Sequence, residues 1–176
     1  MKKEIPQALI MDKVETPIGA ALLLFDGEGR LRALEWEDYE ARMLQLLQVY
    51  NGGGPELTRG SGPAEVIRAV KAYFEGDIDS INEIECRGAG TPFQEAVWAA
   101  LRRIPAGQTL SYGALAAQIG VPKAVRAVGH ANGSNPISVV VPCHRVIGTN
   151  GKLTGYGGGL DRKRWLLTHE GASVAD

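Results

Sequence analysis

Pro142, Cys143, His144 and Arg145 stand in a row, and this is the grouping in the 176-residue chain best suited to covalent chemistry. A free thiol titrates near about 8.5 and only the thiolate is a strong nucleophile, so a reactive cysteine needs a base or positive charge beside it. His144 is a candidate base, Arg145 a source of positive potential, and Glu170 a carboxylate able to orient an imidazole. Neighbours in an extended chain point to opposite sides, so contact between the Cys143 thiol and His144 requires a turn or a water relay. The preceding run Ile137-Ser138-Val139-Val140-Val141 reads as a buried extended segment that Pro142 ends. Inert packing is the competing reading of a lone cysteine among valines, and a cysteine hydrolase is another use of a Cys-His pair.

The elements upstream suggest what such a cysteine would act on. Thr91-Pro92-Phe93-Gln94 combines a Thr cap, a Pro at the first helical position and a Gln three residues after the cap, the signature of a capping box. Phe93, Val97, Trp98 and Leu101 line one face of the helix that follows, and Pro105-Ala106-Gly107 stops it. Ser111 can cap a short helix with Leu115, Ala116 and Ile119 inward; Gly120-Val121-Pro122 turns the chain, and residues 124–131 form a second helix. Two short helices about a Gly-containing turn outline a helix-turn-helix, although many bundles contain such hairpins without touching DNA. The second helix is slim, with Ala124, Ala127, Gly129 and Ala131 around Arg126, so it could approach a nucleic-acid backbone closely. A packed core helix whose Arg snorkels is the alternative.

The net charge of −1 conceals an asymmetry. From Ala89 onward nine basic residues (Arg102, Arg103, Lys123, Arg126, Arg145, Lys152, Arg162, Lys163, Arg164) face four acids (Glu95, Asp161, Glu170, Asp176), leaving +5, whereas residues 1–88 carry −6. A basic half beside an acidic one suits a protein of which one half meets a polyanion, although solvated faces would give the same sum. That half divides at about Cys86–Gly90 from a first half without a catalytic grouping. In the first half Gln7 to Trp36 shows three strand-like runs, with Asp26-Gly27-Glu28-Gly29 as hairpin turn chemistry. Asp38 to Val49 and Ala64 to Phe74 read as helices, the former stopped by Asn51-Gly52-Gly53-Gly54-Pro55. In the latter, Ile67, Val70 and Phe74 face inward. The fold expected is mixed α/β (α+β): residues 1–88 a small antiparallel sheet with helices, residues 89–176 a mostly helical, winged helix-turn-helix-like domain.

No apolar run approaches the roughly 20 residues that cross a bilayer, and Met1 to Pro6 leads into no secretory core, so a cytoplasmic protein is expected. Two cysteines make no disulfide framework. With His130, His144 and His169 they show no paired metal spacing, and no metal or other cofactor is expected.

The string Val141-Pro142-Cys143-His144-Arg145-Val146-Ile147-Gly148 resembles the active-site motif of the O6-alkylguanine-DNA alkyltransferases, or methylated-DNA-protein-cysteine methyltransferases. Thr91-Pro92-Phe93-Gln94, Ser111-Tyr112, Arg126-Ala127-Val128-Gly129, Asn132-Gly133-Ser134-Asn135-Pro136, Gly155-Tyr156 and Trp165 to Gly171 follow the family's order and spacing. The likeness is close from Gly90 to Gly171 and general before that. It implies that Cys143 accepts an alkyl group from O6-alkylguanine in double-stranded DNA, once and irreversibly. It further implies that His144 makes the thiolate through a water with Glu170 orienting it, that Tyr112 contacts the guanine and supplies a proton, and that Asn135 braces the reactive turn. Backbone carbonyls of Cys143 and Val146 would accept from the guanine amino group, and Tyr156 and Gly157, with Arg145 near by, would wall the pocket. Arg126 would fill the place of the flipped base from a helix in the minor groove, with Ala127, Gly129 and Lys123 on the DNA. The resemblance departs at Gly157, where several members carry Ser, and in the first half, which lacks the ligands of some members' zinc site. Cys86 matches no active-site position. A monomer is expected, with cooperative assembly on DNA and action on O4-alkylthymine left open. Relatives that bind DNA without the cysteine offer a regulator as the rival reading, which the presence of Cys143 opposes.

Overall fold

The computed structural model describes residues 8–51 and 54–175; Met1 to Gln7, Gly52, Gly53 and Asp176 lie outside the described residues, and with them the start of the first strand-like run and part of the glycine stop. The chain falls into two compact units, Met1–Gly90 and Thr91–Asp176.

In the first unit, β1 (Ala8–Thr16), β2 (Gly19–Phe25), β3 (Leu31–Trp36) and β4 (Glu56–Arg59) form one sheet in the order β3-β2-β1-β4. The first three pair antiparallel, but β4 runs parallel to β1, from Ala8 opposite Glu56 to Met11 opposite Arg59, so the sheet is mixed where an antiparallel one was expected. The reason is topological: α1 (Glu40–Asn51) carries the chain back across the sheet, and such a crossover delivers the next strand in the parallel sense. Leu22, Leu24 and Ala33 pack against Met43 and Leu47 of α1. On the alternate register Trp36 meets Phe74 of α2 (Ala64–Phe74) edge-on, with centroids 6.1 Å apart. The β2–β3 turn is held by Asp26, whose carboxylate accepts from the backbone of Glu28 and Arg30 and pairs with Arg30 at 2.8 Å and Arg32 at 3.2 Å. Burial pushes that carboxyl up, but these contacts outweigh it and hold it below its usual value.

The second unit begins with α3 (Pro92–Leu101), where Thr91 Oγ1 accepts from Gln94 N and the Gln94 side chain accepts from Thr91 N, the reciprocal cap expected from the residues. Trp98 of α3 donates through Nε1 to the carbonyl of Ala131 at 2.8 Å. That bond fixes α5 (Val125–Gly133), which follows α4 (Tyr112–Gln118) after a turn with Gly120 at φ 80°. A two-stranded parallel sheet pairs β5 (Leu110–Ser111) with β6 (Val146–Ile147), placing the start of α4 beside the residues that follow Cys143. Helix α6 (Leu160–His169) closes the unit.

Ile137 to Val141 is buried as expected but is not an extended segment. Val141 N bonds Ile137 O, Val140 N bonds Ser138 O, and Val139 sits at φ 70°, a left-handed conformation unusual for a β-branched residue. The driving force is Asn135, whose carboxamide replaces the missing strand partners: Nδ2 donates to Val141 O at 2.8 Å and Ile137 O at 3.4 Å, while Oδ1 accepts from Ile137 N.

Candidate active site

Two tight turns bring the chain to Cys143. Cys143 N bonds Val141 O, and Cys143–Arg145 then forms a single 3₁₀ turn, so consecutive side chains no longer point to opposite sides. All three residues are buried, and the Cys143 side chain is held inside the fold at 7 % exposure.

His144 is fully enclosed, with Nε2 2.9 Å from Glu170 Oε1. A carboxylate can only accept, so Nε2 carries the hydrogen, and Nδ1, buried and without a hydrogen-bond partner among the described residues, keeps its lone pair. Burial pushes the imidazole below its usual value despite the attraction of Glu170, which leaves it neutral at physiological pH, with the Nδ1 lone pair able to accept a proton. Glu170 would by burial alone be pushed up, but the hydrogen bond from His144 and the hydrogen bonds and charge of Arg145 hold it well below the carboxylate range. Arg145 grips both its oxygens, Nε to Oε1 at 2.9 Å and Nη2 to Oε2 at 2.8 Å, and gives Nη1 to Ile104 O. The guanidinium is thereby committed to Glu170 and the main chain.

Lys163 is one of the nine basic residues that give the second half its excess positive charge and suit it to a polyanion. The structure corrects this: Lys163 is completely buried and donates to the carbonyls of Val146 at 2.7 Å and Thr154 at 2.6 Å, out of reach of any phosphate. Burial pushes its ammonium down to about 8, and the attraction of Cys143 opposes that fall, so the lysine charge and the cysteine sulfur act on each other. Lys163→Met, which keeps the stem and removes the charge, is expected to slow alkyl transfer by about tenfold, the change in thiolate fraction that one unit of thiol pKa produces. Single-turnover rates at neutral pH check this; an unchanged rate would leave Lys163 a packing residue only.

Asn132, buried on α5, is a second group the sequence reading did not single out. Its Nδ2 lies 3.4 Å from Cys143 O. Tyr112 opens α4 with its ring against Gly129, where an added Cβ would lie 3.6 Å from the ring, and its hydroxyl is 3.2 Å from Thr154 Oγ1. Val146 is buried, and Tyr156 and Gly157 are half-buried in the loop that Lys163 holds. Lys123, Arg126 and Ala127 are exposed on and before α5, beside a groove formed with Thr91, which caps α3, and Phe93 and Gln94 of α3. Among the described residues no group of His, Cys, Asp and Glu could hold a metal, and no helix is long and apolar enough to cross a membrane.

Fold and site together define a buried cysteine next in sequence to a His-Glu-Arg network, in a unit that also carries a helix-turn-helix pair. Residues 92–172 match the family model of the 6-O-methylguanine DNA methyltransferase DNA-binding domain. The chain is 53% identical over 164 residues to a methylated-DNA-protein-cysteine methyltransferase of Salmonella typhimurium, covering 93% of this chain and 96% of that one. A protein of that name from Methanosarcina acetivorans is 55% identical over 160 residues, 90% of this chain and 96% of the other. The solved O6-methylguanine methyltransferase of Mycobacterium tuberculosis, 40% identical, aligns over 93% of both chains with a TM-score of 0.72. A structure of the M. tuberculosis protein in complex with DNA, also 40% identical, aligns over 93% of this chain and 92% of that one with a TM-score of 0.75. The chain belongs to the methylated-DNA-protein-cysteine methyltransferase family.

Proposed function

We propose that this chain repairs DNA by direct reversal, taking the alkyl group of O6-alkylguanine in a duplex irreversibly onto Cys143. The observation that carries the reading is the state of His144: its Nε2–H is committed to an ionised Glu170, and its Nδ1 is left as a buried acceptor one residue from the thiol. Through one water, Nδ1 takes the Cys143 proton. The thiolate attacks the alkyl carbon in line, the S–C bond forms as the C–O6 bond breaks, and Tyr112 gives its phenolic proton to the departing purine. Asn135 holds the turn against which this happens. Asn132 and Lys163 each donate to a carbonyl, of Cys143 and Val146, that has a second lone pair for the guanine amino group.

The base must leave the stack, at a cost of a few kcal/mol. Helix α5, entering the minor groove with its exposed Ala127 and Arg126, would let Arg126 occupy the space the base vacates. Lys123 and the groove beside α3 fit a phosphate backbone. A thioether is a poor leaving group, so the protein acts once, as a monomer inside the cell where its substrate is. Residues 91–176 form the DNA-binding and acceptor part, and residues 1–90 a scaffold.

Intact-mass measurement after mixing with duplex DNA containing O6-methylguanine tests this. One methyl per chain, on Cys143 and absent in Cys143→Ala, is the expected outcome. Tight binding without an adduct would instead make the chain a regulator, and many turnovers of an ester or peptide would make it a hydrolase.

A further inference from the structure

We propose that Thr154 is a positioning residue for proton donation by Tyr112, a role that rests on the alkyl-transfer reading above. Three observations converge on it. The Thr154 hydroxyl donates to the Tyr112 oxygen at 3.2 Å, joining the loop after β6 to the first residue of α4 across 42 residues of sequence. The same Thr154 is anchored through its carbonyl by Lys163 Nζ at 2.6 Å, and that ammonium also holds Val146 O at 2.7 Å. The Tyr112 ring, finally, lies close enough to α5 that a Cβ on Gly129 would be 3.6 Å from Cδ1 and 3.8 Å from Cε1.

The phenol is therefore fixed at both ends, by a glycine at the ring and a threonine at the oxygen. A phenolic oxygen that accepts from Thr154 still carries its own hydrogen, which is left to point at a ligand. When the S–C bond forms and the C–O6 bond breaks, the electron pair released into the purine takes the Tyr112 proton. The phenolate left behind keeps the Thr154 hydrogen bond, now charge-assisted and stronger, until water reprotonates it. Donor geometry set before the reaction and stronger binding of the charged product are what electrostatic preorganisation requires. Because Lys163 ties the Thr154 and Val146 carbonyls together, the proton donor is also held in register with the strand beside the acceptor.

The test compares Thr154→Val, which keeps the branched shape and removes the hydroxyl, with Thr154→Ser, which keeps the hydroxyl. Single-turnover transfer from O6-methylguanine in duplex DNA is expected to slow by about tenfold in the Val variant and to stay within about twofold in the Ser variant. Affinity for the methylated duplex should not change, because Thr154 is asked only to steer the proton. On a Tyr112→Phe background Thr154→Val should cost nothing further, the signature of two residues acting as one unit. An 8-aza-O6-alkylguanine base, whose ring expels its electron pair more readily, should be less sensitive to Thr154→Val than the guanine analogue. Equal losses for both bases, losses that add on the Phe background, or no rescue by Ser would overturn the positioning role. A wild-type protein that takes up no methyl would overturn the parent reading instead, and this one with it.

Discussion

Arg126→Ala is expected to slow repair of O6-methylguanine in duplex DNA by about 100-fold while changing the reaction with free O6-benzylguanine by less than about twofold. Arg126 is exposed near the start of α5, six residues before Asn132, whose amide reaches the backbone of Cys143. The hydrogen bonds that join His144, Glu170 and Arg145, and those of Lys163 to the main chain, do not involve Arg126, so its loss leaves them in place for a free base already in the pocket. A flipped nucleotide is different, because the vacated stack must be filled or it closes again, and a few kcal/mol of unstacking corresponds to two or more decades in rate. Ala127, exposed beside Arg126, adds no bulk to α5 there, so the backbone can come close enough for one long side chain to enter. Single-turnover kinetics on the two substrates separate the effects. Equal losses on both would place Arg126 in the chemistry or the fold and remove it from base extrusion.

The parts of this molecule legible in its sequence are those governed by local rules. The Thr91 cap and its Gln94 partner, the span of α2 and the Gly120 turn between α4 and α5 follow from short-range hydrogen bonding and backbone freedom, and the structure contains each. Ile137 to Val141 misled because β-branched residues signal burial as much as extension, and only the distant-acting Asn135 amide reveals that the chain turns there. Strand β4 escaped notice since Glu56, Thr58 and Arg59 are polar and the strand owes its existence to pairing with β1. Lys163 stands between Arg162 and Arg164 as one of nine cations in the basic half. Its spacing from Leu166, Leu167 and Glu170, three, four and seven residues on, is the signal that was available, for it puts all four on one helical face and makes the lysine an inward one. Nothing local marks Thr154 or Asn132, whose roles depend on where a loop and a helix end meet Tyr112 and Cys143.

Replacing Glu170 by alanine is expected to cost about 3–5 kcal/mol of stability as well as most of the transfer rate, because it strands a buried guanidinium and a buried imidazole together. Arg145 loses two of its three hydrogen-bonded donors' targets and keeps only Ile104 O, and His144 loses the acceptor that fixes its tautomer. Urea unfolding monitored at neutral pH gives the first number, and the pH dependence of that midpoint gives an independent check. His144 is held below its usual 6.5 in the folded protein, so the unfolded chain binds that proton first and stability begins to fall as pH drops below about 6.5. Glu170 is held below its usual 4.5, so its contribution is complete above that value and drains away as pH falls further toward its folded titration point. Both signs agree: the wild-type protein should lose stability steadily on acidification, whereas transfer should persist below pH 6.5 and fail only at the depressed titration point of folded His144, where the protonated ring can no longer take the thiol proton. In Glu170→Ala the lower part of that slope, the part owed to the carboxylate, should be absent. A variant whose midpoint matches the wild type at pH 7, or whose acid slope below 4.5 is unchanged, would mean that the network seen around Glu170 neither holds the turn nor sets the charge state of His144.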